Sequence, residues 1–281
     1  MRRLALLLAA ALAVGCGSSN VDLATLASNS DQLIWDAGQK AYAKHNWENA
    51  RQHFKRIIDA FPQSQYAPAA RLGLADAHFS EGGTANYILA ISEYRDFVTL
   101  YPSHPKSDYA VFQTGECYFK QKNGADRDQS QTAEALAEFQ RLLDLYPQSS
   151  YVDTARERIH SCRQSLARAE FLAGFFYQRT RKACRAAISR YEGLLSDYPD
   201  FEQLDEVLYR LGECLVLSGR PAEALPHLSH LLESYPQSPR VNEAQGLISA
   251  ASKVAPAPAP SASPSPSPSP AANPSPTPPP S

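Results

Sequence analysis

Residues 187–199 read AISRYEGLLSDYP. The stretch opens on Ala187, carries Tyr191 four residues later and the pair Leu194-Leu195, and closes on Tyr198-Pro199. Four other segments keep this frame: 50–62 (ARQHFKRIIDAFP), 90–102 (AISEYRDFVTLYP), 135–147 (ALAEFQRLLDLYP) and 224–236 (ALPHLSHLLESYP). Twelve residues before the closing proline stand Ala50, Ala90, Ala135, Ala187 and Ala224, and eight before it Phe54, Tyr94, Phe139, Tyr191 and Leu228. An apolar pair follows five and four before the proline in every copy. Such spacings put the apolar side chains on one face of a helix. Proline then stops the helix because it has no N–H for the ladder. The aromatic ahead of it is pushed out of the α region and can fold back on the core. Five copies indicate one supersecondary unit used five times.

A second pattern runs downstream of each proline. Eight residues on lie Ala70, Ala110, Ala155, Val207 and Ala244, and fifteen on lie Ala77, Cys117, Cys162, Cys214 and Ala251. A line of small residues lets another helix approach closely, so the chain alternates a small-residue helix A with an Ala-xxx-aromatic helix B. This alternation resembles the tetratricopeptide repeat. The first copy (Gly38, Ala50, Phe54, Pro62) and the last (Gly212, Ala224, Leu228, Pro236) have the regular spacing, and extra residues fall at 80–86 and 122–130. Residues 151–179 contain no proline and one glycine, Gly174. They predict one long helix of about 43 Å, whose second half, with Gly174 and Tyr177, supplies helix A of the fourth repeat. Residues 239–252 predict a final helix that covers the array. The expected fold is all-α, a tetratricopeptide-repeat superhelical solenoid of about five helix pairs. It divides into an N-terminal half (31–150, repeats one to three) and a C-terminal half (151–252, repeats four and five with the cap).

Both ends differ from the array. Residues 1–15 have the pattern of an export signal: Arg2 and Arg3, an apolar run from Leu4 to Val14, then Gly15-Cys16. That run is too short to span a bilayer, which takes about 20 residues. Ala13-Val14-Gly15-Cys16 resembles a lipobox, with Ala13 where leucine is usual. It predicts cleavage before Cys16 and diacylglycerol plus an N-acyl chain on Cys16 as the only prosthetic group. Gly17 in the second mature position fits outer-membrane sorting, by resemblance to proteobacterial lipoproteins. Residues 16–30 form a polar tether. Twelve of the 22 prolines lie in 255–281, alternating with alanine and serine. The composition of 253–281 predicts an extended, disordered tail, about 80 Å long at full reach. Without residues 1–15 the chain has 25 basic against 29 acidic residues, which is not the balance of a nucleic-acid binder.

The sequence shows no catalytic constellation: no phosphate loop, no G-x-S-x-G and no HExxH. Its seven histidines are scattered, and no metal site is expected. Cys117, Cys162 and Cys214 share the small-residue column with Ala77 and Ala251, where cysteine acts as a small apolar residue. Equivalent columns of different repeats are expected to lie too far apart for a disulfide, and Cys184 falls outside the column. Arrays of this kind act by surface. Trp35, Gln39 and Tyr42 lie on the first helix A between its core positions. They suit capture of an extended peptide, or else pack beside the tether. Nine residues before each proline the column reads His53, Glu93, Glu138, Arg190, His227. It is polar throughout and predicts a water-facing line, in which only Arg190 is a permanent cation able to grip a carboxylate with two donors.

The lipobox, the repeats ending in Tyr-Pro and the long third-to-fourth helix together resemble the BamD (YfiO/ComL) family over about residues 16–250. The most specific part is AEFLAGFFYQRTRKACRAAISRYEGLLSDYPD. It is similar to the family's A-x-x-E-x-x-x-x-x-x-Y-x-x-R-x-x-x-x-A-A-x-x-R-x-E-G-x-L-x-x-Y-P. That resemblance implies a non-enzymatic lipoprotein on the periplasmic face of the outer membrane, part of the β-barrel assembly machine. Its N-terminal repeats would receive unfolded outer-membrane proteins. Its C-terminal repeats would dock on the POTRA domain of a BamA-like Omp85 barrel, with the family's interface arginine falling on Arg190 and the adjoining Glu192 completing the signature. Other Bam lipoproteins would be further partners. The competing reading is a periplasmic Tol-Pal-associated repeat protein of the CpoB type. Such proteins carry Y-P-x-S repeats but usually an N-terminal coiled coil, and no heptads precede Asp31.

Overall fold

Phe61, Tyr101, Tyr146 and Tyr235 share one backbone conformation, with φ/ψ of −131/57, −130/56, −132/60 and −129/56°. Each donates its N–H to the carbonyl four residues back, on Ile57, Phe97, Leu142 and Leu231. Proline follows each one, and the steric bar against α conformation before a proline ends all four helices the same way. Phe61, Tyr101 and Tyr146 then turn in and pack on the core.

The computed structural model describes residues 31–254; the export signal, Cys16, the tether and the tail lie outside the described residues. Among the described residues there are eleven helices and no strand. They are α1 (Asp31–Ala43), α2 (Trp47–Ala60), α3 (Ala67–Glu81), α4 (Thr84–Leu100), α5 (Ser107–Lys120), α6 (Ser130–Leu145), α7 (Val152–Arg179), α8 (Cys184–Asp197), α9 (Leu204–Leu217), α10 (Pro221–Ser234) and α11 (Val241–Val254). Helices α1, α3, α5 and α9 are the A helices, each followed by its B helix. Helix α7 is continuous for 28 residues, about 42 Å. The extra residues at 80–86 hold Gly82 and Gly83, both with positive φ (76° and 84°), which breaks α3 from α4.

The chain divides into two compact units. The first takes described residues 31–173 with Ser196–Glu202, and the second Gly174–Leu195 with 203–254. In the first, α1 to α6 pack sequentially on their neighbours. Two apolar clusters form there, one around Ile34, Phe54 and Ile57 and one around Tyr94, Phe97, Phe139 and Leu142. In the second, α10 packs on α9 and α11, and Tyr191, Leu194, Leu211, Leu215 and Leu228 are all fully buried. The ten repeat-core residues read from the sequence (Ala50, Phe54, Ala90, Tyr94, Ala135, Phe139, Ala187, Tyr191, Ala224, Leu228) are all 0 % exposed. Burying each aromatic or leucine contributes about 1.5–3 kcal/mol, so the column holds the fold.

The small residue of helix A makes that burial possible. A Cβ on Gly115 would lie 2.7 Å from Phe139 Cε1, and one on Gly174 only 2.5 Å from Tyr191 Cε1. The aromatic of helix B therefore sits directly on the backbone of helix A.

Three repeats are also closed by a polar latch. Ser64, Ser149 and Ser238 each stand two residues after a repeat-ending proline. Their hydroxyls donate to Asp31, Asp108 (2.7 Å) and Asp205 (2.6 Å), at the start of the same repeat's helix A. The same oxygens accept the backbone N–H of Tyr66, Tyr151 and Arg240 at 3.1, 3.2 and 3.1 Å. In the fourth repeat Phe201 and Ala167 take the serine and aspartate positions, and both are buried.

Candidate docking surfaces

Helix α8 carries the stretch that opened the sequence. Ala187, Ile188, Tyr191 and Leu194 face inward, at spacings of one, three and three residues. The Tyr191 hydroxyl donates to Gln178 Oε1 at 2.9 Å, and Gln178 Nε2 donates to Glu213 at 2.6 Å. Arg210, itself buried, binds Glu213 at 3.0 Å and Glu206 at 2.7 Å, and Arg240 closes on Glu206 at 2.6 Å. With its inner face so anchored, α8 presents Ser189, Arg190 and Glu192 outward, all exposed. The Glu192 carboxylate acts electrostatically on Arg220 and His227.

The column nine before the proline does not face water as the sequence reading expects. Glu138 is 5 % exposed, held by Arg95 at 2.6 Å and Arg141 at 3.2 Å. Glu93 is half-buried and accepts from Arg71 at 3.0 Å. His53 and His227 are half-buried, and burial lowers the pKa of both. The column flanks the buried aromatic, so neighbouring helices cover it, and its carboxylates Glu93 and Glu138 pair with Arg71, Arg95 and Arg141. Arg190 alone of the five is exposed.

The three groove residues of α1 fall in different settings. Trp35 is half-buried, its ring 5.5 Å from Phe54 and stacked 5.7 Å from Tyr66. Tyr42 meets Trp47 edge-on at 5.2 Å and shares a 2.9 Å hydrogen bond with Ser80. Gln39 is exposed. Trp35 and Tyr42 are thus only half available to solvent, the rest of each ring being spent on α2 and on the residues of and just before α3.

Two surfaces escaped the sequence reading. In the first unit a cleft of about 490 Å³ lies between Ile88, Ile91, Arg95, Tyr118 and Gln121, with Ile88 and Leu89 among the most exposed apolar side chains. In the second, a cleft of about 470 Å³ is lined by Gln178, Arg179, Lys182, Cys184, Arg185 and Leu217. Cys184 there touches Cys214, Sγ to Sγ 2.9 Å. The column assignment of Cys117, Cys162 and Cys214 holds, since all three are 0 % exposed. Among the described residues no group of three or more His, Cys, Asp or Glu is placed to hold a metal ion, and no helix is long and apolar enough to cross a membrane.

Successive helix pairs, with an aromatic or leucine of helix B seated on a glycine of helix A, define a tetratricopeptide-repeat protein, and residues 206–238 match the tetratricopeptide-repeat profile itself. The chain belongs to the YfiO family of outer membrane lipoproteins, whose profile matches residues 27–215. It is 28 % identical to the outer membrane protein assembly factor BamD of Caulobacter vibrioides over 79 % of this chain and 72 % of that one. It is 29 % identical to BamD of Haemophilus influenzae over 80 % and 87 %. Among solved structures it is similar to the TPR2AB-domain:pHSP90-complex of yeast Sti1, at 14 % identity, a TM-score of 0.41, and 79 % and 98 % coverage.

Proposed function

We propose that this protein is a non-enzymatic scaffold of the outer-membrane β-barrel assembly machinery, held by lipid on Cys16 at the periplasmic face of the outer membrane. Helix α8 docks through Arg190 and Glu192 on a POTRA domain of a BamA-like Omp85 barrel. The N-terminal repeats receive segments of unfolded outer-membrane proteins. Trp35, Gln39 and Tyr42 contribute to that contact, and exposed Ile88 and Leu89 offer further apolar surface. Family membership and the BamD relatives support the setting. The observation that carries the docking site is Arg190 itself: it is the exposed member of a column that is otherwise tucked between helices, inside the stretch that resembles the family motif. An exposed guanidinium at this position suits a carboxylate on the partner, which it can grip with two donors.

The test is co-purification of an Omp85-family barrel with the detergent-solubilised lipoprotein. Arg190→Glu is expected to lower recovery at least tenfold, and Arg190→Ala less, with both variants melting as the parent does. Full recovery with both variants removes Arg190 from the interface. Absence of any Omp85 barrel from the parent's eluate removes the scaffold reading.

A further inference from the structure

Cys184 is the first residue of α8, and Cys214 lies near the end of α9. Their sulfurs are 2.9 Å apart, about 0.9 Å beyond a disulfide bond length of about 2.0 Å. The two thiols differ in access. Cys214 is 0 % exposed, whereas Cys184 is half-buried and lines the cleft bounded by Arg179, Lys182 and Arg185. We propose that Cys184 and Cys214 are an oxidation site that closes to a disulfide, stapling the start of α8 to α9. The proposal rests on the reading that the chain is exported, because such bonds persist outside the reducing cytoplasm.

The chemistry is thiol–disulfide exchange with a disulfide-bearing oxidant: a dithiol oxidoreductase in the cell, or oxidised glutathione in a tube. The Cys184 sulfur, which the cleft exposes, attacks the oxidant's disulfide as thiolate. A mixed disulfide forms and one thiol leaves. The Cys214 sulfur, already in contact, then attacks Cys184 and expels the second thiol. Two protein thiols become one disulfide, and the oxidant's disulfide becomes two thiols, with the two protons passing to them. The cationic rim of Arg179, Lys182 and Arg185 favours an anionic oxidant such as glutathione disulfide. Burial holds the Cys214 thiol well above the ordinary range, so the first attack falls to the accessible Cys184, and the contact with Cys184 is what lets Cys214 complete the second. Cys117 and Cys162 are fully enclosed, and burial pushes their thiols up to about 12 and about 11, so neither competes.

The test uses the lipoprotein purified in detergent, reduced, and then incubated with oxidised glutathione. Free thiols are alkylated and peptides mapped by mass. The expected result is a cross-linked pair of peptides joining Cys184 to Cys214, with a rise in Tm of roughly 5 °C or more. Cys214→Ala keeps the packing, since the column accepts Ala77 and Ala251, and is expected to stop at a glutathione adduct on Cys184 with no rise in Tm. Two thiols still alkylated after oxidation, or an unresolved adduct in the parent protein, overturn the proposal. Acid-quenched and alkylated cells are expected to show the same cross-linked pair. A pair that closes in the tube and is reduced in cells overturns the disulfide in the cell, and co-purification of the barrel still decides the scaffold reading separately.

Discussion

Tyr191 rests on the backbone of Gly174: a Cβ at that glycine would come within 2.5 Å of Tyr191 Cε1. The ring cannot retreat easily, because its hydroxyl is tied to Gln178 at 2.9 Å. Two effects oppose each other in Gly174→Ala. Alanine gains about 1 kcal/mol of helix propensity, and overpacking costs about 1–3 kcal/mol. The pinned ring lets the clash win, so the variant is expected to lose about 1–2 kcal/mol in denaturant titration. Gly246→Ala in α11, where nothing lies within 4 Å, is expected to gain up to about 1 kcal/mol. Equal effects at the two sites would contradict the close packing of Tyr191 on α7.

The serine–aspartate latch predicts coupling. Asp205→Ala and Ser238→Ala should each cost about 1 kcal/mol, the worth of a cap or of one hydrogen bond. The double variant should cost little more than either, since each change removes the same 2.6 Å bond. Additive losses would show that the two groups act apart.

Asp76 accepts from both Tyr94 at 2.5 Å and Tyr109 at 2.8 Å. Burial raises its pKa despite those two donors. An acid whose folded pKa is raised costs stability once the pH exceeds its unfolded value of about 3.9, and the cost is complete above the folded value. Asp76→Asn keeps an acceptor and sheds the charge. It is expected to be as stable as the parent or more so at pH 7, with the advantage fading as pH falls through the folded value and gone below about 3.9. Asp76→Ala strands two hydroxyls and should lose about 2–4 kcal/mol. Thermal melts of both variants across pH check the sign.

Glu206 behaves in the opposite sense. Burial works to raise its pKa, but hydrogen bonds and charge from Arg240 and Arg210 prevail, so it is lowered. A depressed acid contributes stability that is present above its unfolded value, about 4.3, and is lost as pH falls through the folded value. Glu206→Gln is expected to cost about 1–2 kcal/mol at pH 7, a deficit that shrinks as pH falls below about 4.3. A deficit independent of pH would show that the loss is one of packing.

The repeat was legible because its signal is periodic within one helix. Alanine, aromatic and apolar pair recur at fixed distances from a proline, and all ten column residues are buried. The continuous α7 was legible from what residues 151–179 lack. The burial of Glu138 was not, because Arg95, which neutralises it, belongs to another repeat and no local pattern joins them. Asp31, Asp108 and Asp205 likewise lie 33, 41 and 33 residues from their serines. The meeting of Cys184 with Cys214 depends on how the turn after α7 delivers the start of α8, where Lys182 adopts a left-handed φ of 53°. Arg190 stood out as the odd member of its column, and the structure adds that its neighbours in that column are the covered ones.

The latch also bears on how such a chain comes to fold. Ser64 and Ser238 close on aspartates in their own repeats, only 33 residues upstream. A polypeptide threaded lengthwise through a translocation pore emerges in order, its first repeat first. The bond that seals a repeat becomes available as soon as that repeat's last turn has cleared the pore. Each helix pair can then be secured before the next arrives, which shortens the time that its apolar face is open to the crowded space beyond.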